Sequence, residues 1–166
     1  IKEVKKITQA DIIIVEVGGT IGEYQNILFL EAARMMKIEN PKDVFFVMVS
    51  YLPIPAKVGE MKTKPTQYAV RTLNASGIQP DILIARAQTE LDEKRKEKLS
   101  LFCNILPDRI VSAPDVESIY DVPPFFEKEK LAEKVCKMMS LSSKKTQGQI
   151  YEKNWEKWKK FAQSAH

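Results

Sequence analysis

Two runs of this chain carry groups able to bind and activate a phosphorylated substrate. The first, Ile12 to Gly22 (IIIVEVGGTIG), sets β-branched apolar residues before Glu16 and follows it with the pair Gly18 and Gly19. A carboxylate at the end of a buried strand is a hard oxygen ligand for a divalent cation. Glycines beyond it let the backbone turn tightly and approach a ligand. An ordinary strand exit with a solvated glutamate accounts for the run equally well. The second run, Lys62 to Gln67 (KTKPTQ), offers two ammonium groups, two hydroxyls and an amide beside a helix start, with Pro65 suited to the first helical position. Amides exposed at a helix start favour phosphate, and lysines add point charge. A solvated charged loop is the alternative.

The elements that must position these runs alternate. Ile12 to Val15 is a continuous apolar block that predicts a strand at about 11–16, buried on both faces of a parallel sheet. A helix follows at about 24–37, a strand at 43–50, a helix at 65–76, a strand from Asp81 to Ala85, a charge-dense helix from Asp92 to Phe102 and a last strand from Ile110 to Ser112. That order implies βαβ units and right-handed crossovers. Ligands in open α/β sheets bind beyond the carboxyl ends of the strands, where Glu16 would sit. Within the second element, Phe29, Leu30, Ala32, Ala33 and Met36 form an apolar face suited to burial. A polar stretch from Leu141 to Gly148 reads as a linker. The helix predicted from Gln149 to Ala162 has an aromatic stripe of Tyr151, Trp155 and Trp158 opposed by lysines, a pattern that ordinarily packs on protein.

Composition narrows the chemistry. With 44% hydrophobic and 29% charged residues, the 166-residue chain suits one soluble α/β domain. The formal net charge of +4 permits polyphosphate binding without requiring nucleic acid. No apolar run reaches the roughly 20 residues of a membrane span, so no membrane partner is expected and a cytoplasmic location is the simplest reading. Cys103 and Cys136 sit among apolar residues and are expected to be buried thiols. The single histidine is the last residue, His166, so an internal histidine base or ligand is excluded within this chain. The chain opens at Ile1 on a charged stretch that reads as the tail of a helix, and a piece of something longer is expected.

The runs VEVGGTIG at 15–22, FLEAAR at 29–34, GEMKTKPTQ at 59–67, GIQPDILIAR at 77–86, LFCN at 101–104 and APDVESIYDVP at 113–123 together resemble the synthetase (amidoligase) domain of the CTP synthase family. Their order and spacing carry the resemblance. It implies an α/β fold with a Rossmann-like parallel sheet of the P-loop/dethiobiotin-synthetase-like type. It implies that residues 1–141 are the C-terminal portion of that domain, and that 142–166 are a linker and helix toward a glutaminase domain. The implied reaction is ATP-dependent amination of UTP to CTP with ammonia from glutamine.

Residue by residue, the resemblance makes Glu16 the magnesium-ligating glutamate, with Mg2+ as cofactor and ATP as co-substrate. Glu16 and Lys62 would serve catalysis. Lys62, Thr63, Lys64, Pro65, Thr66, Gln67 and Lys98 would contact UTP or the inhibitory product CTP. Glu23, Tyr24 and Gln25 fall where the family most often shows Asp-Ile-Glu, a stretch implicated in CTP feedback. Gln25 puts a neutral amide where the family has a carboxylate, which implies altered feedback. Arg86, Pro114, Asp115 and Val116 would meet adenine. The family's UTP site is shared between subunits of a homotetramer, which implies an interface around residues 23–34 and the KTKPTQ run.

The chain contains no glycine-rich phosphate loop of the P-loop type and no cysteine nucleophile with a histidine base in glutaminase context. Taken alone it is therefore expected to be inactive. Two rivals are a dethiobiotin-synthetase-like carboxylate-activating enzyme and a non-catalytic nucleotide-binding regulatory protein derived from this domain. The first would share the strand-end glutamate and glycines but not KTKPTQ followed by LFCN.

Overall fold

The computed structural model of the chain describes residues 1–141, 154–161 and 164. Three short strands, β1 (Val47–Tyr51), β2 (Ile82–Ala87) and β3 (Ile110–Pro114), form one parallel sheet in the order β1-β2-β3. Helix α1 (Lys2–Thr8) and helix α2 (Ile27–Glu39) precede the sheet. Helix α3 (Lys64–Ala75) connects β1 to β2, and α4 (Glu93–Cys103) connects β2 to β3. Helices α5 (Val122–Lys128) and α6 (Leu131–Met138) follow. This is an α/β architecture with a Rossmann-like parallel sheet, consistent with part of a P-loop-like domain.

The pattern of side chains explains why β2 is central. Its residues Ile82, Leu83, Ile84, Ala85 and Ala87 are buried and Arg86 alone is exposed. Leu83, Ala85 and Ala87 belong to one cluster with Val70 and Leu73 of α3 and Leu99 and Cys103 of α4. Ile82 and Ile84 belong to another, with Val111, Phe126, Leu131, Val135 and Met138. Alternate residues of a strand face opposite sides, so β2 is covered by helices on both. β1 is covered on one side only. Met48 is buried while Val47 and Val49 are about half exposed.

Asp81 fixes where β2 begins. Its backbone N–H donates to Phe46 O (2.8 Å), its Oδ2 accepts from Phe46 N (2.8 Å), and Lys37 Nζ lies 3.7 Å from the same oxygen.

The run from Ile12 to Val15 corrects the expectation of a buried strand. It forms no strand, and Ile14 is 92% exposed. A parallel strand needs the backbone of a neighbour to satisfy its N–H and C=O groups. Among the described residues β1 pairs only with β2, so no strand takes up residues 12–15. The face expected on α2 is also only partly buried. Leu30 packs against the main core, whereas Phe29 is 64% exposed, alongside exposed Ile27, Leu28, Met35 and Ile38.

Cys136 is the second correction, because it is exposed while Cys103 is buried. Val135 faces the sheet from α6, and the next residue lies about 100° further round the helix. Residues 154–161 are helical, and Trp158 and Phe161 stack against Tyr120 with ring centroids 5.8 and 5.2 Å away. Trp158 of the stripe thus packs on protein. Residues 142–153, which include Tyr151 and most of the predicted linker, lie outside the described residues, as does Ala162. No helix among the described residues is long and apolar enough to cross a membrane.

Burial pushes the Cys103 thiol up to about 11, so it stays protonated and shielded at neutral pH. In a thiol titration with a chromogenic disulfide, Cys136 is expected to react at once and Cys103 only after unfolding. Two fast thiols in the folded chain would contradict this packing.

Candidate functional site

The carboxyl ends of the strands carry two groups of expected site residues. At the end of β2, Arg86 O accepts Leu52 N (2.7 Å) and Ala87 O accepts Asp115 N (2.8 Å). The strand register sets Arg86 beside Tyr51 on one side and Ala113 on the other. Arg86 and Asp115 meet as an exposed ion pair at 3.6 Å, with Pro114 and Val116 flanking Asp115. The expected adenine-contacting residues are therefore together at the rim.

The KTKPTQ run leaves the same rim. After Leu52, Pro53 O accepts Lys62 N (2.9 Å) and returns the chain to the sheet, and α3 begins at Lys64 with Pro65 in its first turn. Thr66 is fully buried, and its hydroxyl lies 2.9 Å from Ser50 Oγ on β1. Thr63 is also buried and accepts a hydrogen bond from Gln67 Nε2 (3.1 Å). The Thr66 hydroxyl ties the start of α3 to the sheet, and that of Thr63 braces the first turn of the helix through Gln67.

Helix α4 supplies the opposite wall. Asp92 caps it, with Oδ1 accepting Arg95 N at 2.8 Å, and Asn104 ends it in the left-handed conformation. Between α3 and α4 lies a cleft of about 290 Å³ lined by Lys64, Gln67, Tyr68, Arg71, Lys98 and Phe102. It brings together three expected residues, Lys64, Gln67 and Lys98. Tyr68, Arg71 and Phe102 were not expected from the sequence, and their signal is a spacing of four residues from Lys64, Gln67 and Lys98 respectively. Three cations and two aromatic rings with no carboxylate among them suit an anionic ligand that carries a planar ring. The cleft is at the small end for a ligand site, enough for part of a nucleotide.

Lys62 lies beside this cleft in a charged cluster. Its ammonium pairs with Glu60 Oε2 at 2.7 Å, and Arg95 stands 3.6 Å from Glu60 Oε1 while donating from Nε to Met61 O at 3.2 Å. The hydrogen bond from Lys62 holds the Glu60 carboxyl below its ordinary value; the Lys62 charge and smaller charge effects of Arg95 and Lys98 act the same way, against desolvation.

Two expected parts stand apart. Glu23 lies over Gly19, where an added Cβ would come 2.5 Å from Glu23 Oε2, and Gln25 Nε2 donates to that oxygen at 2.9 Å. Tyr24 is 90% exposed. A Cβ on Gly22 would meet Thr72 at 3.2 Å, about 12 Å along α3 from Lys64 by helical rise. None of residues 23–25 lines the cleft between α3 and α4. Glu16 is exposed, and no group of three or more His, Cys, Asp or Glu among the described residues is placed to hold a metal ion. As a donor it fits one carboxylate ligand of a magnesium ion that takes further oxygens from phosphate and water.

The family described as CTP synthase N-terminus matches residues 1–141. A CTP synthase of Symbiobacterium thermophilum is 44% identical over 146 residues, covering 87% of this chain and 27% of the relative. That of Pyrococcus horikoshii is 42% identical over 160 residues, 96% of this chain and 29% of its own length. That of Sulfolobus acidocaldarius is 43% identical over 137 residues, 82% and 26% respectively. The chain thus spans less than a third of the length of these relatives.

Replacing Asp92 with Ala removes the α4 cap and is expected to cost about 1 kcal/mol of stability in urea unfolding at neutral pH. The backbone hydrogen bond from Arg95 leads the effects that hold the Asp92 carboxyl below its ordinary value. Its contribution is therefore complete above the ordinary aspartate range and lost as pH falls through the lowered folded value. The difference between wild type and Asp92→Ala should shrink below about pH 4, whereas that between Asp92→Asn and Asp92→Ala should not. A difference between wild type and Asp92→Ala that does not change with pH would refute the charged cap.

Proposed function

Because the chain belongs to the CTP synthase family, we propose that it forms part of an ATP-dependent C–N ligase that aminates UTP to CTP with ammonia released from glutamine, in pyrimidine nucleotide biosynthesis. The observation that carries this reading is the cleft shared by Lys64, Gln67 and Lys98, with Lys62 beside it. In the proposed reaction the uracil 4-oxygen attacks the terminal phosphorus of ATP and ADP leaves. Ammonia then adds at C4, the phosphorylated oxygen departs as inorganic phosphate, and protons pass to solvent.

The chain's own residues bind and orient in this scheme. Lys62 and Lys64 neutralise the UTP triphosphate, Gln67 and Lys98 complete its enclosure, and Thr63, Pro65 and Thr66 shape the turn that presents these groups. Arg86 stacks on adenine, a role suited to a guanidinium plane, and backbone groups of Pro114, Asp115 and Val116 read its edge. Glu16 supplies one carboxylate oxygen to Mg2+, which would neutralise phosphate charge when bound.

A homotetramer is part of the same proposal. The separation of Glu23, Tyr24 and Gln25 from Lys64 suits a site completed by a neighbouring subunit, and the exposed Leu28 and Phe29 of α2 give such a neighbour an apolar surface. A cytoplasmic location and a role for 142–166 as connector toward a glutaminase domain belong to this reading too.

The test is CTP formation from UTP, ATP, Mg2+ and either ammonia or glutamine, comparing the chain alone with the protein expressed in its full coding frame. Activity is expected only in the latter, and Lys62→Ala or Glu16→Ala should each lower kcat/KM about 100-fold, the scale of losing one preorganised electrostatic contact. Nucleotide binding without turnover in both forms would favour a non-catalytic regulatory protein.

Gln25 bears on feedback, because its amide donates to Glu23 where a glutamate would oppose one carboxylate with another. Gln25→Glu is expected to change the CTP concentration that halves activity. Unchanged inhibition would remove Gln25 from the feedback site.

A further inference from the structure

Building on the proposed placement of Lys62 against the nucleotide phosphates, we propose that Glu60 is an exchangeable counter-ion, paired with Lys62 and handed to Arg95 when a nucleoside triphosphate arrives. The two oxygens of Glu60 address different cations: Oε2 is 2.7 Å from Lys62 Nζ, whereas Oε1 is 3.6 Å from the Arg95 guanidinium. The second distance is an ion pair short of a full hydrogen bond. A shift of roughly 0.7 Å would close it to ordinary N–H···O length.

The two cations differ in how firmly they are held. Arg95 is three-quarters covered, bonded through Nε to Met61 O and paired with Asp92 at the start of α4. Lys62 has a side chain 39% exposed on a loop and, among the described contacts, an ion pair to Glu60 alone. A fixed guanidinium beside a movable ammonium is an arrangement in which the carboxylate changes partner and Arg95 stays in place.

The exchange answers an electrostatic difficulty. Glu60 remains charged at neutral pH, and a carboxylate left between Lys62 and an incoming triphosphate would repel it at close range. Pairing with Arg95 keeps Glu60 neutralised while Lys62 turns to phosphate. Arg95 is then a positioning residue, which acts on the ligand through Glu60.

The test is calorimetric titration of UTP, with uridine as the phosphate-free probe, into the protein expressed in its full coding frame; thermal melts check that each variant is folded. Arg95→Gln should weaken UTP binding about tenfold, the scale of one hydrogen bond to a charged group, and leave uridine binding unchanged. In turnover it should raise KM for UTP with kcat little altered. Glu60→Gln added to Arg95→Gln should restore most of the affinity, and Glu60→Gln alone should bind UTP at least as tightly as wild type. A double variant as weak as Arg95→Gln would overturn the exchange and leave Arg95 as a loop anchor only. Weaker binding by Glu60→Gln alone would overturn it as well. Lys62→Ala separates the two levels: unchanged UTP affinity there would overturn the placement of Lys62 itself, and the exchange with it.

Discussion

The carboxyl end of β2 is the constraint on which both parts of the site depend. Two successive carbonyls there are taken by the segments that follow the flanking strands, Arg86 O by Leu52 N and Ala87 O by Asp115 N. One bond sets the path that leads to the KTKPTQ turn, and the other sets the loop that carries Pro114 to Val116. Because Leu83, Ala85 and Ala87 are locked between the sheet and its helices, that end has little freedom, and rim residues inherit its position. Burying each large apolar side chain of this core contributes about 1.5–3 kcal/mol. The exposed ion pairs at the rim contribute far less to stability, so they are available for chemistry.

Much of this was legible in the sequence because its signals are local. The strands around 43–50 and 81–85 and the helices around 65–76 and 92–102 each carried their own apolar period or cap, and they formed within a few residues of expectation. Ile12 to Val15 carried an equally clear apolar block and formed no strand, since a strand depends on a partner that its own residues do not specify. Cys136 was misread for a related reason. Apolar neighbours in sequence do not say which side of a short helix turns inward, and Val135 takes that side.

The site divides along the same line. Lys64 and Gln67 lie one helical turn apart, and Lys98 was expected from the run before LFCN; the packing of α3 on α4 sets them on facing walls of one cleft. Arg95 was not legible. Its sequence context is a charge-dense helix face, and only the approach of the 59–62 loop shows that it meets Glu60 and Met61. Thr63 and Thr66 looked like ligand hydroxyls of the same kind as their lysine neighbours. The fold turns both inward, Thr66 to Ser50 of β1 and Thr63 to Gln67 within the helix start that borders the cleft.

The most direct measurement of the central claim is a crystal structure of the protein in its full coding frame with UTP bound. The triphosphate is predicted to lie at the start of α3, with phosphate oxygens within about 3.2 Å of Lys62 and Lys64 Nζ and Lys98 closing the cleft from α4. A triphosphate seated instead at Arg86 and Asp115, or away from both rims, would contradict the assignment of this cleft to the pyrimidine nucleotide.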